Sequence, residues 1–179
     1  MNYRLPLLGT LVAATLTGCA TTNKQPVVEK VLTHDGDVNI IWQNPAKFSD
    51  IRSTTFLQSK FQNYLFTELT DALGHVADHH FGKNMQLDLQ VTNLDLAGDV
   101  QPTFGGTAED IRVVSQLYPP KISFDYVLRR DGKVVKSGSE KLNDMNFLFG
   151  IQPITSDPFP YEREMLQNWF LQTIKPALK

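Results

Sequence analysis

The sequence predicts an α+β fold: a largely antiparallel sheet with two amphipathic helices packed on one face, in the order β-α-β-loop-β-β-α. Three observations lead there. Residues 53–81 repeat apolar side chains at spacings of three and four, and residues 161–175 do the same near the end of the chain. Residues 85–91 alternate apolar and polar side chains. Residues 121–142 read as a hairpin about Asp131-Gly132, a pair suited to the positive φ angles of a tight turn.

The elements follow in order. "DVNIIWQNP" is the first expected strand, with Val38, Ile40 and Trp42 on one face and Asn44-Pro45 ending it. The long helix places Leu57, Phe61, Leu65, Leu69, Ala72, Leu73 and Val76 on its apolar face, with Lys60, Asn63, Thr67, Asp71 and Gly74 opposite. Ser53 or Thr54 is expected to cap it, and Gly82 to stop it. In "MQLDLQVTNLDL", Met85, Leu87, Leu89 and Val91 share a face. Leu94 and Leu96 then fall out of phase, which a bulge near Thr92-Asn93 explains. Residues 98–120 hold no sustained period and read as a long loop, in which "DIRVV" is either a short strand or a helical turn. After the hairpin, "NDMNFLFGIQPITSDPFPY" is a second loop. The last helix begins at Asp157-Pro158 or Pro160 and stops at Pro176, burying Met165, Leu166, Trp169, Phe170 and Ile174.

The start of the chain carries a different message. Arg4 precedes an apolar run from Leu5 to Leu16, then small residues, then Cys19, the sole cysteine. The run is shorter than the roughly 20 apolar residues of a membrane span, and its layout is that of a secretory signal. "LTGCA" resembles a bacterial lipobox, whose Cys becomes the first mature residue and carries lipid. The expected organisation is a lipoprotein signal peptide at 1–18, lipidated Cys19 with a polar tether at 19–33, and one domain at 34–179. Two or more acyl chains hold a protein stably on a bilayer. Ala20 after the Cys, where Asp would retain the protein in the inner membrane, points to the outer membrane, periplasmic face. Cleavage removes only Arg4 among charged side chains, leaving 16 basic against 19 acidic. That balance, without a basic stripe, argues against a nucleic-acid partner.

Several residue groups carry possible chemistry. His75 and His79 are i,i+4 neighbours able to reach one metal, but the Glu of HExxH is missing and two His make half a tetrahedral shell. The helical wheel puts His79 within the apolar face. Neither metal nor cofactor is therefore expected. Asp95 and Asp99, with Glu109, Asp110 and Arg112, flank the long loop as acidic turns suited to acid–base work or cation binding. Pairing of these acids with Arg112 as turn caps is the simpler reading. No GxSxG and no second thiol support a nucleophile. Loop aromatics such as Phe104, Tyr118, Phe149 and Phe159 suit a partner surface.

Seven blocks, "VNIIWQNPAKFSDI", "VTNLDLAGDV", "DIRVV", "YPPKISFDYVL", "DGKVVKSG", "KLNDMNF" and "SDPFPYEREMLQNWF", occur in order across residues 37–171. In them the chain resembles a family of bacterial envelope proteins known as a domain of unknown function (number 3016). The resemblance implies no activity, cofactor or catalytic residue. It draws attention to Asp95, Asp99, Asp110, Arg112, Asp144, Asn146, Asp157, Tyr161 and Glu162, as a ligand site or as a buried polar network. The expected function is that of a lipid-anchored, non-enzymatic binding or accessory protein with a periplasmic partner. The alternative is a small ligand-binding or hydrolytic domain using the acidic cluster with Arg112.

Overall fold

The computed structural model describes residues 29–55, 57–103, 110–150 and 157–179. Cys19, the signal segment, Phe104, Glu109 and most of the tether lie outside the described residues. Strands β1 (Lys30–Asp35) and β2 (Val38–Gln43) form a hairpin about Gly36, whose φ of 52° suits glycine. A 3-10 turn at Pro45–Lys47 leads to helix α1 (Gln58–Asp78). Then come β3 (Met85–Asp95), β4 (Asp99–Pro102), β5 (Asp110–Val113), β6 (Lys121–Arg130), β7 (Lys133–Asn143) and α2 (Pro160–Trp169). A π-helical turn at Phe170–Ile174 and a 3-10 turn at Lys175–Leu178 follow.

The architecture is α+β, with a mixed five-stranded sheet ordered β1-β2-β3-β6-β7. Only β2 and β3 run parallel, because α1 carries the chain back to start β3 beside β2. The β3–β6 register shifts between Val91 and Asn93, and this bulge returns Leu94 to the buried side. Asp131 (φ 51°) and Gly132 (φ 73°) turn β6 into β7 as a two-residue hairpin loop.

The order departs from the expected one in two places. Strand β1 lies where the tether was expected to run to residue 33, so the fold begins by Lys30. Strands β4 and β5 form a separate two-stranded sheet within the expected 98–120 loop, with "DIRV" as β5. Helix α1 also starts later and stops earlier than expected. Neither Ser53 nor Thr54 caps it. Instead Gln58 turns back, accepting from Ser53 N (3.0 Å) and donating to Ile51 O (2.7 Å). The helix closes at Asp78, ahead of Gly82.

Side chains of β2, β3 and β6 alternate between buried and open, and the buried set joins those of both helices in one hydrophobic cluster. Trp42 of β2 stacks on Phe66 of α1 at 4.3 Å between centroids, worth about 0.5–1.5 kcal/mol beyond its buried area. Leu57 is exposed, contrary to its place on the wheel. Gly74, expected on the polar side, is buried because β1 passes over it: a Cβ there would lie 2.1 Å from an Asp35 carboxylate oxygen.

A polar relay fastens α1 to this edge of the sheet. Trp42 Nε1 donates to Thr33 Oγ1 (2.9 Å), Thr33 lies 2.6 Å from Thr70 Oγ1, and Thr70 donates to Phe66 O (2.7 Å). Each hydroxyl thus has a donor and an acceptor, which is what burial of Thr70 demands. Thr33→Val is expected to destabilise the fold by about 1–3 kcal/mol in urea unfolding, because Trp42 Nε1 loses its acceptor. Leu32→Thr, on the exposed neighbour, should stay within about 0.5 kcal/mol of the parent.

Candidate functional site

After the 3-10 turn, the chain runs beside the end of β3. Asp50 N donates to Leu94 O (3.4 Å) and Leu96 N donates to Asp50 O (2.9 Å), which holds Asp50 opposite Asp95. Ser49 and Asn93 exchange hydrogen bonds alongside. The Asp50 carboxylate then meets Arg112 of β5 in a fork, Nη1 to Oδ2 at 3.0 Å and Nη2 to Oδ1 at 3.2 Å. Nη1 also donates to Gly98 O (3.3 Å) and Nη2 to Arg52 O (3.2 Å). These bonds engage four of the five N–H donors of a guanidinium. Arg52 is more open: its Nη2 donates to Val100 O (3.3 Å) and lies 3.9 Å from Asp99 Oδ1.

Glu162 closes the cluster from α2. Pro160 opens that helix, Phe159 ahead of it has a φ of 53°, and Glu162 sits in the first turn where the helix dipole favours an acid. Its side chain is buried, and Oε1 accepts Ala97 N at 2.6 Å. Burial pushes its pKa above the ordinary 4.5. The Ala97 bond and the Arg112 charge oppose the rise, and Asp95 adds to it. A cavity of about 220 Å³ lies between these groups, walled by Phe61, Leu96, Val114 and Phe159 with Arg52 and Glu162 on its lining.

The residues expected at a site are thus divided. Arg112 is central, Asp99 stands beside Arg52, and Tyr161 lines the cavity while its ring meets Phe147 edge-on at 4.9 Å. Asp95 pairs with Lys121 at 3.0 Å. Asp110 is exposed at the start of β5, and Asp157 is exposed before α2. Asp144 accepts Asn146 N (2.9 Å) as a turn cap, and both line a different hollow of about 260 Å³ with Phe149 and Glu164. That hollow shares Asp144 with a groove of about 500 Å³ between the end of β7 and α2.

The histidine pair takes no part. His75 and His79 are both exposed, their rings 4.6 Å apart, and His79 Nδ1 is 2.8 Å from His75 O. His79 is out of the apolar face because it lies past the last helical residue, at the C-cap. Among the described residues, no group of three or more His, Cys, Asp or Glu could hold a metal ion. The sequence reading missed Asp50 and Arg52, which sit in coil without periodicity, and named Glu162 only within a set read as a ligand site or a buried polar network. The block "KFSDI" carried Asp50 without marking it.

The ordered blocks behind this geometry have a counterpart among known families. Residues 36–172 match the family model described as "Protein of unknown function (DUF3016)". The chain belongs to that family. No curated protein and no solved structure matches it. The DUF3016 match runs from β2 into the π-helical turn, taking in the Arg112 cluster and the groove's lining as far as Gln172, and leaves β1 outside. Among the described residues of this DUF3016 chain, no helix is long and apolar enough to cross a membrane.

Two outcomes follow from the cluster. Arg112→Met and Asp50→Asn should each cost about 2–3 kcal/mol in denaturant unfolding, since each removes one side of a mostly buried fork, although Arg52 Nε stays 3.8 Å from Asp50 Oδ1. The double variant should fall short of the sum by about 1 kcal/mol or more. For Glu162 the folded pKa is raised, so its neutral form stabilises the fold fully below pH 4.5. That contribution is lost as pH rises through the raised value. Glu162→Gln, which keeps the acceptor for Ala97, should therefore gain stability relative to the parent as urea unfolding is repeated at rising pH.

Proposed function

We propose that the protein is a lipid-anchored component of the bacterial envelope that works by binding and not by catalysis. Acylated Cys19 would hold it on the bilayer at the periplasmic face of the outer membrane, and its partner would be a periplasmic molecule. With β1 beginning at Lys30, residues 19–29 can span at most about 40 Å when fully extended, so the domain works within that distance of the lipid. The reading takes both helices to lie against one face of the sheet, leaving the groove at β7 open at the sheet's edge.

One observation carries the choice of binding over hydrolysis. The charged cluster that would serve an enzyme is spent on its own fold, since Arg112 gives its Nη donors to Asp50, Gly98 and Arg52, and Glu162 takes Ala97 N. A hydrolytic site needs such donors aimed at a reacting atom. The groove between β7 and α2 is different: it is lined by polar side chains that hold little else together. The fold is thus clamped at one place and offers hydrogen bonds at another.

The anchor is tested directly. Cys19→Ser should leave the signal segment uncleaved by the lipoprotein peptidase and the chain without lipid. A variant that migrates and fractionates with membranes as the parent does would overturn the anchoring.

A further inference from the structure

The groove is a consequence of the sheet's edge. Among the described strands β7 pairs only with β6, and α2 sits over β6 through Trp169, whose ring meets Phe124 (4.8 Å) and Tyr126 (5.2 Å) edge-on. Gly138, Glu140 and Leu142 stand opposite Tyr126, Phe124 and Ile122, so they share the sheet face that those buried residues occupy. Gly138 keeps that face low: a Cβ there would come within 3.0 Å of the Tyr126 ring. The result is a trough of about 500 Å³ between the end of β7 and α2 with its π-helical turn, within the range of ligand-binding clefts.

Its lining is rich in groups that both give and take hydrogen bonds. Asn168, Gln172 and Thr173 line it from the helical side, and Glu140 and Asn143 from β7. Each amide offers two donors and an acceptor, and the hydroxyl offers both. None of these five side chains hydrogen-bonds to another described residue, in contrast to Arg112. At the floor is Trp169, 4% exposed, whose indole Nε1 is buried with no acceptor among the described residues.

We infer that this groove binds a neutral saccharide. The inference rests on the binding role proposed above and names the ligand class for it. Hydroxyl-rich rings match amides and a hydroxyl because each sugar hydroxyl also gives and takes. Charge points the same way. Glu140 and Asp144 line it with a single cation, Lys141, so no excess of positive charge draws a phosphate, and the polar walls do not suit an acyl chain. The adjoining hollow that shares Asp144 ends at Phe149, which is 74% exposed. An open aromatic face beside polar groups suits the C–H face of a sugar ring, whose partly positive hydrogens meet the ring's negative quadrupole. An extended peptide pairing with the free edge of β7 is the competing occupant. Lys133, Lys136 and Lys141 on that strand oppose such pairing.

Calorimetry on the full acylated chain, in a detergent without a sugar headgroup, tests this with chitotriose and maltotriose as probes. At least one should bind with a Kd below about 1 mM. Asn168→Ala with Gln172→Ala, both exposed on the parent, should weaken it about tenfold or more while leaving the melting temperature unchanged. No heat from either sugar up to about 10 mM overturns the proposal, as does sugar binding that the double variant leaves intact. A short uncharged extended peptide is titrated alongside. Peptide binding lost in the double variant, with no sugar binding, overturns the saccharide and keeps the groove as a binding surface. Silence from all three probes overturns the saccharide and the groove together, and the Cys19 result stands apart from both.

Discussion

The fork between Asp50 and Arg112 is the interaction on which one whole end of the domain depends. A two-stranded ribbon has marginal stability on its own, and β4 with β5 is such a ribbon, outside the main sheet. Arg112 fastens it to the chain entering α1, through Asp50 and Arg52 O, and to the link between β3 and β4, through Gly98 O. Glu162 then ties the start of α2 to Ala97, one residue from Gly98. Segments more than a hundred residues apart in sequence thereby meet in one polar knot. Its side chains are 19% and 15% exposed at the fork, so water screens the pair less than a surface bridge without leaving either ion wholly desolvated.

This knot also decides what the cluster can do. A guanidinium that binds a carboxylate in both lobes and two carbonyls besides has little left for a ligand. A buried acid at a helix start with a main-chain donor on it is held by local structure, and its raised pKa follows from burial without any catalytic demand. The same residue types in the sequence suggested acid–base chemistry, and their arrangement turns them toward holding loops. Unspent hydrogen-bonding capacity lies instead at the β7 edge, where the sheet extends past its helical cover.

What was legible in the sequence was whatever one buried face imposes. Alternation in β3, its slip before Leu94, the Asp131-Gly132 turn and the Pro160 start all reflect burial or backbone angles that few residues satisfy. Strand β1 was not legible for the converse reason: as an edge strand it buries neither face fully, and Leu32 is exposed beside Thr33. Its Gly36-Asp37 turn also holds a glycine at positive φ, but without an apolar stripe beside it the signal had nothing to join. Gly74 and His79 show the limit of a helical wheel, which knows the helix but not the strand laid over it or the point where the helix ends. Of the site, Arg112 and its acidic neighbours were marked by their turns. Asp50 and Arg52 were not, because a coil residue carries no period, and pairing across 62 positions is decided by the fold. Asp144 and Asn146 were marked as one set with Arg112, and the fold sends them to the other hollow.

The strand register relates the proposed anchor to the proposed groove. Val31 stands opposite Trp42, Trp42 beside Val91, Val91 opposite Phe124, and Phe124 opposite Glu140. That single row crosses the sheet from the edge where the chain enters to the edge where the groove opens. Four strand spacings of about 4.8 Å put the two roughly 19 Å apart, at the same level along the strands. If lipid on Cys19 holds the β1 edge toward a bilayer, the β7 edge faces away from it, with the hydrophobic core between. The groove would then be open to whatever lies beyond the lipid layer and shielded from the headgroups. An anchor joined ahead of β1 and a binding site beside β7 would then lie toward opposite edges of one sheet and need no hinge between them.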